Sequence, residues 1–146
     1  MKRHDSLVPL SKFHRSVLFL ALVAKKNAPP VKGYPTTPEG KKDYALAFYK
    51  NRLNDHFQLE EEKLLPAVRG KDKSLDKLVE EILLERQKLR KLFDQLQNSN
   101  DLEFDLDNLG KALEKHIRRE ERQLFQQVQQ TLTPMEMNQL RFTLES

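Results

Sequence analysis

Two stretches of the chain present the same residue types at the same spacing. His56-Phe57-Gln58-Leu59-Glu60-Glu61-Glu62-Lys63-Leu64-Leu65 recurs 60 residues later as His116-Ile117-Arg118-Arg119-Glu120-Glu121-Arg122-Gln123-Leu124-Phe125. Each copy reads His, apolar, two variable residues, Glu-Glu, two variable residues, Leu, apolar. The His and the first Glu lie four residues apart, so a helix puts both on one face. An imidazole and a carboxylate on one face of each of two helices are the raw material of a metal centre inside a bundle. The chain has no Cys. Disulfides, iron–sulfur clusters and thiolate zinc sites are therefore excluded, and any metal must take nitrogen and oxygen ligands.

The elements that would position these groups follow from periodicity and punctuation. The first helix begins near Ser6 or Pro9, ends before Asn27-Ala28-Pro29-Pro30, and faces inward through Leu7, Leu10, His14, Val17 and Ala21. The Pro-rich stretch from Asn27 to Thr36 is a loop. Thr37-Pro38-Glu39 starts a second helix running to about Pro66, with Leu46, Tyr49, Leu53, His56, Glu60 and Leu64 inside. A third starts at Asp72 or Ser74 and carries Leu75, Leu78, Ile82, Arg86, Leu89, Phe93 and Leu96. Asn98-Ser99-Asn100 breaks it. The fourth runs from about Asp105 or Asp107 to Thr131, with Leu109, Ala112, His116, Glu120 and Leu124 inside. Thr133-Pro134-Met135-Glu136 is a capping box that opens a short fifth helix, where Met135 and Met137 read as packing residues. The fold class expected is all-α: an up-down-up-down four-helix bundle with a short fifth C-terminal helix, one domain over residues 1–146.

Antiparallel packing brings mid-helix positions to similar heights. His14, His56 with Glu60, Arg86, and His116 with Glu120 then form one central polar layer. Burying such groups unpaired costs several kcal/mol per charge, so something must neutralise them. A metal would do so, and a donor set of imidazole and carboxylate suits iron or manganese, with zinc also fitting.

Charged residues make up 33% of the chain and hydrophobic ones 38%, which suits helices that bury one stripe and expose the rest. The net charge of +4 comes from 26 basic and 22 acidic residues spread along the chain. Basic residues alternate with acids, as in Arg118-Arg119-Glu120-Glu121, so they read as solvated faces and not as a nucleic-acid surface. The longest apolar run, Val17 to Ala24, falls far short of the ~20 residues a membrane span needs and reads as a buried helix. A cytoplasmic protein, with no membrane partner, is the expectation.

The chain resembles a hemerythrin-like, HHE cation-binding domain of the bacterial cytosolic kind. Leu10-Ser11-Lys12-Phe13-His14 is similar to that family's first-helix ligand motif, although Phe13 and Arg15 stand where Glu and a second His are common. The two repeated motifs match the second and fourth. Glu85-Arg86-Gln87-Lys88-Leu89-Arg90 matches the third-helix motif except that the family has His at the position of Arg86. The resemblance implies non-haem iron between the helices: one ion on the first- and second-helix histidines, another on the third and fourth, and the two motif glutamates bridging. Carried over, His14, His56, Glu60 and Glu120 form an intact half-site, while the other half keeps His116 and loses its third-helix ligand.

Arg86 is no ligand. Guanidinium has no lone pair to donate and stays protonated. It can pair with carboxylates, so it is expected to replace the second metal by bonding Glu120 or Glu60, or else to reach its head to the surface. A di-iron centre would survive only if Glu85 or Gln87 swung in. Three cofactor states are thus open: two ions, one, or none. The function expected is a metal-binding protein, not an enzyme, handling oxygen, nitric oxide or iron by sensing or storage. The alternative is a metal-free structural or interaction bundle with Arg86 paired to the former ligand carboxylates. A ferritin-like oxidase is disfavoured, because that class uses Glu-x-x-His pairs and this chain has His-x-x-x-Glu. No protein partner is written in the sequence.

Overall fold

The computed structural model describes residues 2–146. Among the described residues the fold is all-helical, without strands, and consists of five helices packed as a helical bundle. Helix α1 spans Val8–Ala24. Helix α2 covers 38–68 and is interrupted by two π-helical turns, Tyr49–Leu53 and Glu60–Leu64. Helix α3 is Lys73–Gln95, continued by a 3-10 turn at Leu96–Asn98. Helix α4 covers 102–131 with one π-helical turn, Glu120–Leu124. Helix α5 is Pro134–Glu145.

The helix starts are set by side-chain caps that accept from otherwise orphaned backbone N–H groups. Thr37 accepts from Gly40 N at 3.1 Å, Asp72 from Leu75 N at 3.0 Å, and Thr133 closes the expected capping box with Glu136. Helix α4 starts earlier than expected. Asp101, not Asp105 or Asp107, is its cap, accepting from Phe104 N at 3.2 Å. Gly70 turns the chain from α2 to α3 with φ of +79°, a conformation that favours glycine.

The apolar core divides into two clusters. One contains Leu7, Leu10, Leu64, Val68, Leu75, Ile82, Leu124 and Leu140. The other contains Val17, Leu20, Leu53, Phe57, Leu89, Phe93, Leu113 and Ile117. In each of the first four helices the polar residue of the stripe falls between members of the two clusters. His14 follows Leu10 and precedes Val17, and Arg86 sits between Ile82 and Leu89. The polar layer is thus enclosed by apolar packing above and below.

Two stripe expectations need correction. In α2 the buried residues before Leu53 are Ala45 and Phe48, with Leu46 and Tyr49 only partly buried. The π-turn at Tyr49–Leu53 inserts one residue, so the inward face shifts by one position on its N-terminal side. Met137 is buried in the first cluster, but Met135 is 78% exposed. Residues two apart on a helix point in nearly opposite directions, so both cannot face the core.

Helices α1 and α4 approach closely at Gly110. A Cβ there would lie 2.6 Å from the Ala21 carbonyl oxygen. Among the described residues, no helix is long and apolar enough to cross a membrane.

Candidate metal centre

All six residues of the expected layer are buried: His14, His56, Glu60, Arg86, His116 and Glu120. Arg86 and both glutamates have no solvent exposure. The alternative in which Arg86 reaches the surface is therefore ruled out.

The two repeated motifs produce the same local structure. Each first Glu opens a π-turn, in which the backbone N–H five residues on bonds its carbonyl: Leu65 to Glu60, and Phe125 to Glu120. The extra residue explains why both members of Leu64-Leu65 and of Leu124-Phe125 are buried. It also allows the His and Glu of each motif to turn into the same central space.

Each carboxylate divides between two sets of partners. The Oε1 atoms face Arg86: its Nη2 donates to Glu60 Oε1 and, at 3.0 Å, to Glu120 Oε1. The Oε2 atoms of Glu60 and Glu120 have no well-formed hydrogen bond. They face His14, whose Nε2 is 3.2 Å from Glu120 Oε2 and 3.9 Å from Glu60 Oε2. His14 Nε2 also lies 3.1 Å from His56 Nε2, which is 3.4 Å from Glu60 Oε1.

Donor atoms of His14, His56, Glu60 and Glu120 all lie within 4.8 Å of one another. Ligands about 2.1 Å from one ion sit about 3.0 Å apart at right angles and about 3.4 Å apart in a tetrahedron. Three of the observed separations, 3.1, 3.2 and 3.4 Å, lie at or between those values, and the 3.9 Å from His14 to Glu60 is longer. The geometry and the orphaned Oε2 atoms therefore fit a single metal ion. This is the half-site that the sequence motifs pick out.

On the other side the carboxylates are met by the chain's own cation, Arg86. Arg86 Nη1 also donates to the Phe57 carbonyl at 3.4 Å, and its Cζ lies 4.6 Å from the Phe57 ring centroid. His116 Nε2 comes within 2.6 Å of Glu120 Oε1 but is poorly aligned for a hydrogen bond. Its Nδ1 meets Glu85 Oε1 at 2.8 Å. Glu85 thus sits behind His116, on the far side of the ring from Arg86's carboxylate partners, and does not replace the missing ligand. Gln87 takes no part in these contacts.

Protonation follows from these neighbours. Burial alone would raise the Glu120 pKa, but the Arg86 guanidinium and His116 hold it well below the usual carboxylate range. Burial would lower His14; the carboxylates of Glu120 and Glu121 close to its two ring nitrogens, with the charge of Glu60, instead push it up to about 10. His116 is raised against its burial by Glu120 and Glu85. Arg86 is raised against its burial by Glu120 and Glu60.

Glu61 and Glu121, expected from sequence to point off the bundle axis, do so and support the layer from outside. Glu121 Oε2 accepts from Ser11 Oγ at 2.9 Å and faces His14 Nδ1 at 3.3 Å. Glu61 is 3.6 Å from Arg86 Nη1 and 3.0 Å from Arg90. The doubled Glu in each motif was the available signal, since the second Glu is rotated about 100° from the first. Phe13 stacks on His56, with centroids 4.4 Å apart. His4 stays outside the layer, its Nδ1 2.8 Å from Ser6 Oγ. Tyr49 stacks on Phe93 at 4.3 Å and Tyr44 packs near Phe48, so both are apolar packing.

An all-helical fold holding a buried cluster of imidazoles and carboxylates defines a metal-binding bundle class. A family model for the hemerythrin HHE cation-binding domain matches residues 17–128, and the chain belongs to that family. His14 lies just before the matched stretch, so its place in the cluster rests on the geometry. No curated protein and no solved structure matches the chain significantly.

Proposed function

We propose that this protein binds one divalent metal ion, iron in the cell, through His14, His56, Glu60 and Glu120, with Arg86 as a built-in substitute for a second ion. The observation that carries this reading is the division of the two carboxylates. Their Oε1 atoms bond Arg86, while their Oε2 atoms, without a well-formed hydrogen bond, face His14, with His56 beside Glu60 Oε1. The up-down-up-down arrangement proposed for α1 to α4 is supported by cluster membership: α1 and α3 run from the first apolar cluster to the second, and α2 and α4 run back.

A bound non-haem iron would supply a redox-active centre able to take a small diatomic such as dioxygen or nitric oxide. The chain's own residues define the rest. His14 and His56 provide neutral imidazoles, Glu60 and Glu120 provide two negative charges, and Arg86 offsets one of them. The two apolar clusters keep bulk water from the layer. Chemistry that shares a ligand between two metals is not open to this site, so sensing or storage is favoured over dioxygen carriage. We propose a binding role in place of an enzymatic one.

The second reading is a metal-free bundle. It is favoured by one observation: Arg86 contacts both carboxylates, and His14 stands close enough to Glu120 to pair with it. Elemental analysis of untagged protein, grown with iron and then loaded anaerobically with Fe(II), separates the readings. About one metal per chain is expected. A value near two would show that Arg86 does not replace an ion, and a value near zero would establish the metal-free bundle.

A further inference from the structure

Three of the four groups contributed by histidine or arginine to the layer share one radial pattern. Against each stands a partly buried carboxylate, and against that carboxylate a partly buried arginine. His116 is backed by Glu85 and Arg119. Arg86 is backed by Glu61 and Arg90. His14 is backed by Glu121 and Arg3. His56 differs, with Phe13 stacked on its ring.

The outer arginines differ in origin. Arg119 belongs to α4 and Arg90 to α3, so the helices themselves fix them. Arg3 precedes α1 and reaches across to a π-turn 118 residues later in sequence. Its Nη2 donates to the Glu121 carbonyl oxygen at 2.8 Å and lies 3.9 Å from the Glu121 carboxylate. Its Cζ lies 5.3 Å from the centroid of Phe125, and Phe125 stacks on His14 with centroids 5.4 Å apart and planes at 14°. One guanidinium thus touches both residues that fix His14: the carboxylate at its Nδ1 and the aromatic against its face. Gln129 fastens the segment to α4, accepting from His4 N at 3.0 Å and donating to the Lys2 carbonyl at 2.9 Å.

We propose that Arg3 is a positioning residue for His14, so that the segment before α1 sets the metal affinity of the half-site. The affinity part rests on the metal reading above; the positioning part does not. A residue that orients a ligand's far nitrogen typically changes metal affinity by 10–100-fold, and Arg3 acts one contact further out. The planar guanidinium suits the task, because it can donate to an oxygen while its face lies on a ring.

The test uses full-length chain carrying Arg3→Ala or Arg3→Lys, beside the unaltered protein. Two quantities are read: the ring 15N signals of His14 and His116 in metal-free protein, and Co2+ affinity with its visible absorption bands. In Arg3→Ala the His14 signals are expected to move while those of His116 stay, and Co2+ affinity to fall about tenfold with altered bands. Arg3→Lys should recover part of both. Unmoved His14 signals, or equal movement of both histidines, overturn the proposal, as does unchanged Co2+ affinity where the unaltered protein binds Co2+. If the unaltered protein takes up no Co2+, the metal reading fails, the affinity claim fails with it, and the His14 signals alone decide the positioning. Should Arg3→Ala unfold, Arg3→Lys carries the same comparison, with smaller shifts expected at His14 only.

Discussion

The two halves of the polar layer share a frame and differ in what neutralises it. Glu60 and Glu120 come from the repeated motif, open matching π-turns, and each bonds Arg86 through Oε1 and faces His14 with Oε2. On one side stand His14 and His56; on the other, Arg86 and His116. Imidazole can give a lone pair to a cation or carry a proton, so the first side has two states. Guanidinium carries a fixed positive charge and no lone pair, so the Arg86 position has one. A single arginine thus gives one half of the layer a fixed charge where the other half has titratable groups. The donor cluster that remains open draws His14 from α1, His56 and Glu60 from α2, and Glu120 from α4.

The sharpest break of this comparison is to delete one histidine from each side. His56→Ala should reduce bound metal from about one per chain to near zero, because one imidazole and two carboxylates already bonded to Arg86 remain. His116→Ala should keep the metal. Equal loss in both variants, read by elemental analysis, would mean that the halves are not distinct.

Removing the built-in cation comes next in size. Arg86→Met leaves two buried carboxylates without their main partner, and loss of one member of a buried ionic group costs about 3–5 kcal/mol. Urea unfolding of the metal-free protein should show a loss of that order. Excess divalent metal should return part of it, since a ligand that binds only the folded state stabilises that state. Arg86→His tests the converse and is expected to raise the metal content toward about two per chain.

A pH dependence separates the free and loaded forms. In the metal-free protein His14 is pushed up to about 10, above its unfolded value of about 6.5. Its protonated form therefore stabilises the fold fully below about pH 6.5, and that contribution declines as pH rises toward about 10. Metal binding displaces the same proton, so at pH 7 uptake should release close to one proton per ion from His14, and affinity should climb with pH. Calorimetry in two buffers of different ionisation enthalpy measures this release. Absence of proton release would place His14 outside the ligand set.

Much of the fold was legible because its signals are local. The caps at Thr37, Asp72 and Thr133, the stripe of α3 from Leu75 to Leu96, and the motif pairs at His56 and His116 need only the preceding or following turn to be read. The π-turns were not legible from a 3.6-residue period, and Tyr49–Leu53 shifted the α2 face by one residue. The pairs Leu64-Leu65 and Leu124-Phe125, apolar at adjacent positions after each Glu-Glu, were the trace that two of them left. The Arg86 pairing with Glu60 and Glu120 was legible from charge alone, since a buried guanidinium must find carboxylates. The Arg3 contact was not, because it joins residues 118 apart and depends on how the segment before α1 lies across α4.

The smallest expected effects make the finest version of the comparison. Glu121 and Glu85 back His14 and His116 in the same manner, each held against its burial below the usual carboxylate range by its histidine and a further partner. Glu121→Gln and Glu85→Gln therefore remove the same charge at equivalent places on the two sides. If the ligand half alone binds metal, Glu121→Gln should weaken metal binding about tenfold, because the far nitrogen of a ligand loses its carboxylate. Glu85→Gln should leave metal affinity unchanged and cost about 1 kcal/mol of stability through weakened bonds to His116 and Arg119. Both variants keep shape and hydrogen-bonding capacity, so general loosening is a poor explanation of a difference between them. Equal effects on metal affinity would mean that His116 is a ligand after all, and that the layer works as one site with Arg86 inside it.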